Sequence, residues 1–477
     1  MDAEGFKEFG TEMMNFITEY LEGIRERKVL SSVKPGYLRE LIPTEVPEEG
    51  EKWQDVMKDL ERVIMPGVSH WQHPQFHAYL AAANSYPSIV ADMLCGAIAC
   101  TGFSWITSPA CTELEIVMMD WLGKLLELPS KFLSCESNGV GGGVIQGAAS
   151  EATFVALLAA RAQAIRRIKS ETGLDDGYII GKLVAYTSDQ SHTSVEKAGR
   201  LGGVKMRLLP TDEHLQVTLE VLMNAITEDK SKGLFPFYAV ATSGTTNTCA
   251  FDDLEVFGDI CRQENLWLHV DAAYAGAAFA CEEFRYLMKG IDKAHSFNFN
   301  PHKWMLTNFD CSAMWVDNAK ELEQTFEIDA IYLRHHAQGQ VPDYRNWQIP
   351  FGRRFRSLKL WFVLRIYGKK AIQEHIRTHI ALAHEFEQLL LKDGRFEIVA
   401  PVLMGLVCFR LKNRSNEENE TLLKTVVERG KIYVVPTKVH GKYAIRFAIC
   451  SKFTASVDMA IGFQEFSAAA SDLFGKM

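Results

Sequence analysis

Between residues 182 and 316 the chain alternates short apolar runs with helical patterns, and this alternation limits the fold more than any other feature. The apolar runs fall near 182–187, 204–209, 236–242, 266–270, 295–299 and 311–316, and the helical patterns near 216–229 and 252–264. Strand and helix in alternation predict an α/β fold in which helices cover a mainly parallel sheet. Such sheets bind ligands at the carboxyl ends of their strands.

Two of the predicted strands end in residues that can do chemistry. Asp271 follows the run 266–270, and Lys303 follows the alternating run 296–300 after a proline and a histidine. This arrangement is found around pyridoxal phosphate, where the lysine forms a Schiff base and the carboxylate keeps the pyridinium nitrogen protonated. Taken alone, an acid and a lysine are more often a structural ion pair or two solvated side chains.

Further polar residues follow other strands. His192 comes after the run 182–187, where a histidine is more often structural than catalytic, and the hydroxyl-rich segment 242–246 follows the run 236–242. The glycine-rich segment 139–147 precedes a helical pattern that extends to about residue 168. Free N–H groups at such a helix start suit a phosphate, although the glycines match neither common nucleotide-binding motif and a flexible loop is the alternative.

Composition places the chain among soluble enzymes. It has 477 residues, 47% hydrophobic and 23% charged, with a net charge of −9 that argues against a nucleic-acid partner. We expect no secretory signal in the first residues and no membrane helix, which needs about 20 apolar residues. The ten cysteines lack CxxC spacing, and the three histidines between 70 and 77 fit no zinc pattern, so we expect no metal and a cytoplasmic location.

The two ends of the chain have patterns of their own. Residues 4–26 and 53–64 predict amphipathic helices, and the proline-rich segment 31–51 between them predicts an arm that packs on its own chain or on another subunit. Ser108 and Pro109 predict the capped start of a helix that extends to Leu126. The polar segment 326–349 predicts a functional loop, and residues from 371 onward predict a separate α+β unit.

Taken together, these segments resemble the aromatic L-amino acid decarboxylases, which are group II pyridoxal-phosphate enzymes, and most of all the DOPA decarboxylases of insects. The resemblance extends from about residue 5 to 470 and is carried by 266–304, by SerProAlaCysThrGluLeuGlu, by GlyGlyGlyValIleGln, and by TrpGlnIlePro and GlyArgArgPheArgSerLeuLys. It implies fold type I, as in aspartate aminotransferase, and an obligate, domain-swapped homodimer with active sites at the interface. The implied domains are a partner-binding arm (1–85), a cofactor-binding domain (86–365) and a C-terminal domain (366–477).

The resemblance also implies roles for individual residues. Lys303 holds pyridoxal 5'-phosphate, Asp271 pairs with its ring nitrogen, and Tyr332 returns a proton to the substrate carbon. His192 and Ala273 cover the two ring faces, and Thr246 lies near the ring hydroxyl. The phosphate contacts are Ala149, Ser150, Asn300 and His302. The implied substrate pocket comprises Trp71, Tyr79, Leu80, Ala81, Ala82, Thr101, Phe103, Ser243, Gly352 and Arg446, with Phe103 and Gly352 contributed by the partner subunit.

The chain departs from the family in that pocket. Leu80, Ala81 and Ala82 stand where Phe-Pro-Thr is usual, and Thr101 and Ser243 replace Ile and Leu. The expected activity is decarboxylation of DOPA, 5-hydroxytryptophan or a related amino acid to its amine. An aldehyde-forming synthase on the same scaffold is one alternative, although His192 and Tyr332 favour simple decarboxylation. A low-activity paralogue that binds cofactor and serves as a dimer partner is another.

Overall fold

The computed structural model describes residues 1–475, which form two compact units. The large unit comprises residues 82–383 and 400–407, and the small unit comprises residues 1–81, 384–399 and the chain from 408 onward. The three domains expected from the sequence include an arm defined by its contacts with a partner, so that division stays a prediction.

Strands and helices alternate along most of the described chain. The strands are β1 (Gly142–Gln146), β2 (Leu183–Ser188), β3 (Lys205–Leu209), β4 (Phe235–Thr242), β5 (Trp267–Asp271), β6 (Ser296–Phe299), β7 (Ser312–Val316), β8 (Phe396–Ile398), β9 (Leu406–Leu411), β10 (Val435–Val439) and β11 (Lys442–Ala448). The helices are α1 (Ala3–Glu22), α2 (Tyr37–Leu41), α3 (Trp53–Asp59), α4 (Tyr86–Ile98), α5 (Pro109–Leu126), α6 (Ala149–Thr172), α7 (Asp176–Ile180), α8 (Thr193–Leu201), α9 (Leu219–Ser231), α10 (Leu254–Glu264), α11 (Pro301–Trp304), α12 (Ala319–Phe326), α13 (Arg356–Asp393), α14 (Asn416–Glu428) and α15 (Ser456–Phe474).

The large unit is built on a seven-stranded sheet of order β1-β7-β6-β5-β4-β2-β3. Strands β3, β2, β4, β5 and β6 are parallel, whereas β7 is antiparallel to both β6 and β1. The six strands predicted from the apolar runs are all present, within one residue of their expected bounds. The expected α/β fold with a mainly parallel sheet is therefore confirmed.

The glycine-rich segment 139–147 contains strand β1, so the alternative of a flexible glycine loop is wrong for Gly142–Gln146. Its glycines allow close packing: a Cβ on Gly141 would lie 1.9 Å from the Lys131 carbonyl oxygen, and one on Gly143 would lie 2.5 Å from the Met119 side chain. The strand can therefore lie directly against helix α5. The helix start predicted to suit a phosphate is the start of α6, which follows β1, and its phosphate contact stays a prediction.

Helix α6 covers one face of this sheet together with α8 and α12. The core between them is apolar and fully buried, and includes Val155, Val195, Val240 and Leu322. Complete burial of one such side chain contributes about 1.5–3 kcal/mol.

Ser108 occupies the N-cap position of α5 as predicted, but its side chain caps no N–H group of the helix.

The small unit contains a four-stranded sheet of order β10-β11-β9-β8, packed with α14 and α15. Its core is aromatic: the rings of Phe386 and Phe447 stack at 3.8 Å, and Phe409 meets Phe466 edge-on at 4.9 Å. The predicted helix near 371–391 is the second part of α13, which bends at Gly368 because that residue has a φ of +69°.

The arm is helical as predicted, with α1 ending at Glu22 and α3 continuing as one π-helical turn over Leu60–Ile64. Arg25 binds Asp458 of α15 at 2.7 Å and the Phe453 carbonyl oxygen at 2.8 Å. Phe6 stays 65% exposed, so the packing of the arm on a partner remains a prediction. Among residues 1–475, no helix is both long and apolar enough to cross a membrane.

Candidate active site

The carboxyl ends of β4, β5 and β6 form one level edge, which we call the active-site edge (242–246, 271–273 and 300–303). Thr242 lies beside Asp271, and Asp271 lies beside Asn298, in the sheet register. Beyond the strands, the Ser243 N–H donates to the Asp271 carbonyl oxygen and the Ala272 N–H to that of Asn298, both at 2.9 Å. Parallel pairing therefore fixes the backbone of all three strand ends.

The buried side chain of Asp271 points to the face of the sheet that α6 covers. Residues two apart in a strand share a face, so Asp271 lies on the same side as His269, whose Nε2 is 3.5 Å from Thr153 Oγ1 in α6. Asp271 is only 3% exposed. Its Oδ1 accepts a hydrogen bond from the Ala273 N–H at 3.0 Å, which fixes the carboxylate and leaves Oδ2 to a ligand.

The start of helix α6 lies on the same face. Thr153 is one turn inside this helix, so the first residues, Ala149 and Ser150, lie toward the end of the sheet that carries Asp271. The N-cap residue is Ala148, which has no side-chain acceptor for the first N–H groups. Those N–H groups, together with the positive end of the helix dipole, suit an anion.

Lys303 reaches this edge through a tight turn. The Asn300 N–H donates to the Ala273 carbonyl oxygen at 3.0 Å, and the Lys303 N–H donates to that of Asn300 at 2.9 Å. His302 Nδ1 accepts from the Cys311 N–H at 2.9 Å. Burial and the Lys303 charge lower the pKa of His302 to about 3, so the ring is neutral and carries its proton on Nε2.

His192 is the N-cap residue of α8, and its Nδ1 accepts from the Ser194 N–H at 3.2 Å. Burial lowers the pKa of His192; the Asp271 carboxylate acts in the opposite direction, and the Lys303 ammonium adds to the lowering. His192 therefore lies within the electrostatic reach of both groups. The structure brings the three predicted residues into one site, with a neutral imidazole beside an acid and an amine.

Three buried polar atoms at this edge have no hydrogen-bond partner among residues 1–475: the Thr242 hydroxyl, the Ser243 hydroxyl and Asn300 Oδ1. A buried polar atom without a partner costs about 1–3 kcal/mol, and such atoms commonly mark the place of a ligand. The edge, the uncapped helix start and these atoms fit a polar ring that carries a phosphate.

Comparison with protein families also points to a cofactor that is a polar ring with a phosphate. Residues 35–412 match the model described as "Pyridoxal-dependent decarboxylase conserved domain". The chain belongs to the pyridoxal-dependent decarboxylase family. Pyridoxal phosphate is therefore the cofactor, as predicted, and the fold-type-I expectation is confirmed.

Individual relatives are similar over almost the whole chain. The aromatic-L-amino-acid decarboxylase of Drosophila melanogaster is 60% identical over 474 residues, covering 99% of this chain and 92% of the relative. The structure of Oryza sativa TDC with PLP and tryptamine has a TM-score of 0.96 and 36% identity, covering 99% of both chains. That of Rhodiola rosea 4-hydroxyphenylacetaldehyde synthase has a TM-score of 0.92 and 35% identity, again over 99% of both chains.

The remaining predicted residues of the large unit lie at the active-site edge or on loops. Ser243 is buried, and Thr246 is half-buried in the turn after β4. Ala82 is half-buried in an extended segment, and the next residue, Ala83, donates to the His302 carbonyl oxygen at 2.7 Å. Thr101 is exposed.

Phe103 and Gly352 belong to two segments that are joined in this decarboxylase. The Gly102 N–H donates to the Arg353 carbonyl oxygen at 3.1 Å, and the Phe103 ring packs on Phe351 at 4.7 Å. Arg353 is itself buried, with its guanidinium 2.6 Å from Glu115 in α5. The two segments therefore form one surface, as the predicted shared role of Phe103 and Gly352 requires.

Tyr332 lies on the segment 327–343, which we call the Tyr332 loop. Its side chain is 80% exposed. It borders a cavity of about 250 Å³ that is also lined by Phe326, Leu333 and Phe351. The loop is anchored near its end, where His335 Nε2 lies 3.0 Å from Asp343 Oδ1 and Arg345 lies 3.1 Å from Asp343 Oδ2.

The other predicted pocket residues lie in the small unit. Trp71 and Tyr79 stack with a centroid distance of 5.7 Å, and both rings are nearly half exposed. Leu80 and Ala81 are buried behind them, and the Ala81 N–H contacts Cys450 Sγ at 3.3 Å. Arg446 donates to the Tyr79 carbonyl oxygen at 3.4 Å.

Sequence reasoning missed two buried residues that support the active-site edge. His269 holds Ser296 Oγ at 2.8 Å, and burial lowers the pKa of His269 to about 4. Asp252 accepts from the Thr242 N–H at 2.8 Å, and burial raises the pKa of Asp252 to about 6. A histidine inside a buried strand, two residues before Asp271, was a usable signal for the first; Asp252 reads as an ordinary helix-start acid.

Proposed function

We propose that this chain decarboxylates aromatic L-amino acids, such as DOPA or 5-hydroxytryptophan, to the corresponding amine and carbon dioxide. The observation that carries the proposal is the convergence of His192, Asp271 and Lys303 at the carboxyl ends of parallel strands of one sheet. Family membership supports the reaction type. The similarity to a named aromatic-L-amino-acid decarboxylase supports an aromatic substrate.

The residues present fit pyridoxal phosphate. The start of α6 with Ala149 and Ser150, and Asn300 and His302 beside it, would hold the phosphate; Asp271 would pair with the ring nitrogen. His192 and Ala273 would cover the ring faces, Thr246 would lie near the ring hydroxyl, and Lys303 would supply the covalent link. When bound, pyridoxal phosphate supplies an electron-withdrawing ring that stabilises negative charge on the substrate Cα.

The chain's own residues then divide the remaining work. The buried Asp271 carboxylate would stabilise a positive charge on the ring nitrogen, since burial leaves the attraction between the two charges weakly screened. His192 and His302 stay neutral at physiological pH because burial lowers the pKa of each, so neither adds a positive charge to the site. Lys303 would hold the cofactor covalently and would remain as a nearby amine when the substrate is bound.

Tyr332 would deliver a proton to the substrate carbon after carbon dioxide has left. Its exposure and its place on a loop allow the phenol to reach a substrate held by a rigid site. If oxygen reached that carbon first, the products would be an aldehyde, ammonia and peroxide. The presence of both Tyr332 and His192 favours the amine.

The substrate pocket departs from the common pattern of DOPA decarboxylases. We infer that Trp71, Tyr79, Leu80, Ala81, Ala82, Thr101, Phe103, Ser243, Gly352 and Arg446 select the substrate. Ala82 lacks the hydroxyl that a threonine would offer to a catechol, and loss of one such hydrogen bond costs about 0.5–1.5 kcal/mol. The buried Ser243 hydroxyl has no protein partner among residues 1–475, so it offers the pocket a different polar group.

We infer further that the protein acts as a cytoplasmic homodimer. An open apolar groove of about 550 Å³ on the large unit, lined by Leu114, Val117, Phe355, Leu358 and Trp361, supports a partner subunit, because contiguous exposed apolar surface commonly marks an interface. All ten cysteines are free thiols, seven of them buried, which suits a reducing compartment. The arm at residues 1–85 would then pack on the partner.

Borohydride trapping tests the proposal. The wild-type protein, reduced in the presence of pyridoxal phosphate, should retain the cofactor covalently, and Lys303→Ala should not. Unreduced wild-type protein should release amine and carbon dioxide in equal amounts without peroxide. Covalent cofactor in the Lys303→Ala protein would contradict the site. Stoichiometric peroxide would show an aldehyde synthase instead of a decarboxylase. The absence of turnover with every aromatic amino acid would favour the low-activity paralogue that binds cofactor and serves as a dimer partner.

A further inference from the structure

Tyr79 has an unusual backbone for a bulky aromatic residue. Its φ is +59°, in the left-handed region that L-residues with large side chains rarely adopt. Strained residues of this kind persist only where surrounding contacts hold them, and they cluster at functional sites. The contacts that hold Tyr79 therefore point to residues with a function of their own.

Tyr433 contacts both the Tyr79 side chain and the backbone of the segment that leads to it. Its N–H donates to the Gln75 carbonyl oxygen at 3.0 Å, and its own carbonyl oxygen accepts from the His77 N–H at 2.8 Å. Its hydroxyl lies 3.1 Å from the Tyr79 hydroxyl, and the two rings meet edge-on at 6.1 Å. A single residue thus holds the segment 75–79 by both its backbone and its side chain.

The segment that Tyr433 holds carries a wall of parallel aromatic rings. Trp71 stacks on Phe76 at 5.3 Å and on Tyr79 at 5.7 Å, with interplanar angles of 26° and 17°. Phe76 is buried, whereas Trp71 and Tyr79 are 42% and 45% exposed. The exposed rings can stack with another flat ring, and such stacking depends on orientation as well as on buried area.

We propose that Tyr433 is a positioning residue that holds the Tyr79 ring against Trp71, so that the two rings form the wall on which the aromatic side chain of the substrate stacks. This proposal rests on the proposed function, because it assumes that the substrate carries an aromatic ring. Tyr433 does not touch the reacting atoms. Its effect is therefore on substrate binding and not on bond cleavage.

The test removes the hydrogen bond from each side. In the holoenzyme, Tyr433→Phe should raise KM for an aromatic amino acid about three- to tenfold, with kcat within twofold, because one hydrogen bond is lost and the rings remain. Tyr79→Phe should give the same factor, and the double variant should give no more than either single variant, because both remove one shared bond. Tyr443→Phe, in the same unit on β11, is the matched control and should leave KM unchanged.

Calorimetric titration of tyramine into the pyridoxal-phosphate-loaded variants supplies a readout that does not depend on turnover. Its dissociation constant should rise by the same factor as KM. An unchanged KM and tyramine affinity in Tyr433→Phe would overturn the proposal, as would multiplied effects in the double variant or an equal effect of Tyr443→Phe. If Tyr433→Phe lowers the melting temperature strongly, Tyr79→Phe, which alters the more exposed ring, decides the question. Failure of the proposed function would instead show as no amine from wild-type protein.

Discussion

The active-site edge and the Tyr332 loop are held in place by very different means. At the edge, Asp271 is 3% exposed and its backbone is fixed by a strand on either side. On the loop, Tyr332 is 80% exposed, and its segment depends on the His335–Asp343 and Arg345–Asp343 contacts. Under the proposed function, the comparison indicates that the charge that stabilises the substrate carbon is fixed in advance, whereas the proton that ends the reaction comes from an exposed side chain on a loop.

The largest effect should come from the fixed charge. Asp271→Asn keeps the shape of the side chain and removes its negative charge, so kcat should fall about 10³-fold, the cost of losing a main electrostatic contact in a buried site. Release of labelled carbon dioxide under saturating substrate measures it. Asp259→Asn, on an aspartate whose side chain is 63% exposed, is the control. A variant that kept a tenth of wild-type kcat would remove the contrast between the two regions.

A smaller effect on turnover is expected from a change at the exposed Tyr332. Tyr332→Phe should lower amine formation about 10²-fold, the usual contribution of a positioned acid, and shift the products toward aldehyde and peroxide. The melting temperature should not change, because the hydroxyl is exposed. Product analysis under air gives both numbers, and Tyr286→Phe, on another exposed tyrosine, is the control. Amine yield equal to wild type would mean that another group delivers the proton.

The pH dependence of the unfolding free energy should distinguish a buried histidine of the active-site edge from an exposed one. The pKa of His302 is about 3 in the folded chain and about 6.5 when unfolded, so the unfolded state binds more protons between these values. This histidine therefore removes about 2 kcal/mol of unfolding free energy as the pH falls from 7 to 5. His302→Gln should lose less stability over that interval in urea titrations, and the exposed His214→Gln should lose as much as wild type. Equal losses in all three proteins would contradict the burial argument.

The smallest effect concerns the anchor of the Tyr332 loop. His335→Ala removes one hydrogen bond to Asp343, worth about 1 kcal/mol, so trypsin should cleave after the exposed Arg334 about fivefold faster. His336→Ala, next to it and exposed, is the control. A similar cleavage rate in both variants would show that this contact does not hold the loop.

The sequence predicted the sheet well because most of its buried parallel strands have uninterrupted runs of apolar residues. It therefore also pointed to Asp271, which follows such a run directly, and to Lys303, which follows an alternating run after a proline and a histidine. Strand β1 was not predicted as a strand, because Gly142 and Gly143 carry no strand signal; Gly143 allows close packing against Met119 of α5, and Gly142 against Trp347. The role of Tyr433 was equally hidden, because its partner Tyr79 lies about 350 positions earlier in the chain.

If the start of α6 holds the phosphate as proposed, the alanine at position 148 links the folding of this protein to its cofactor. A serine or aspartate there would cap α6 and add about 1 kcal/mol without any ligand. With alanine, the first N–H groups have no side-chain acceptor, so part of the stability of the helix would come only from bound pyridoxal phosphate. A ligand at one hundred times its dissociation constant adds about 2.7 kcal/mol to a native state. The lifetime of the protein in a cell should then follow the supply of the vitamin from which its cofactor is made.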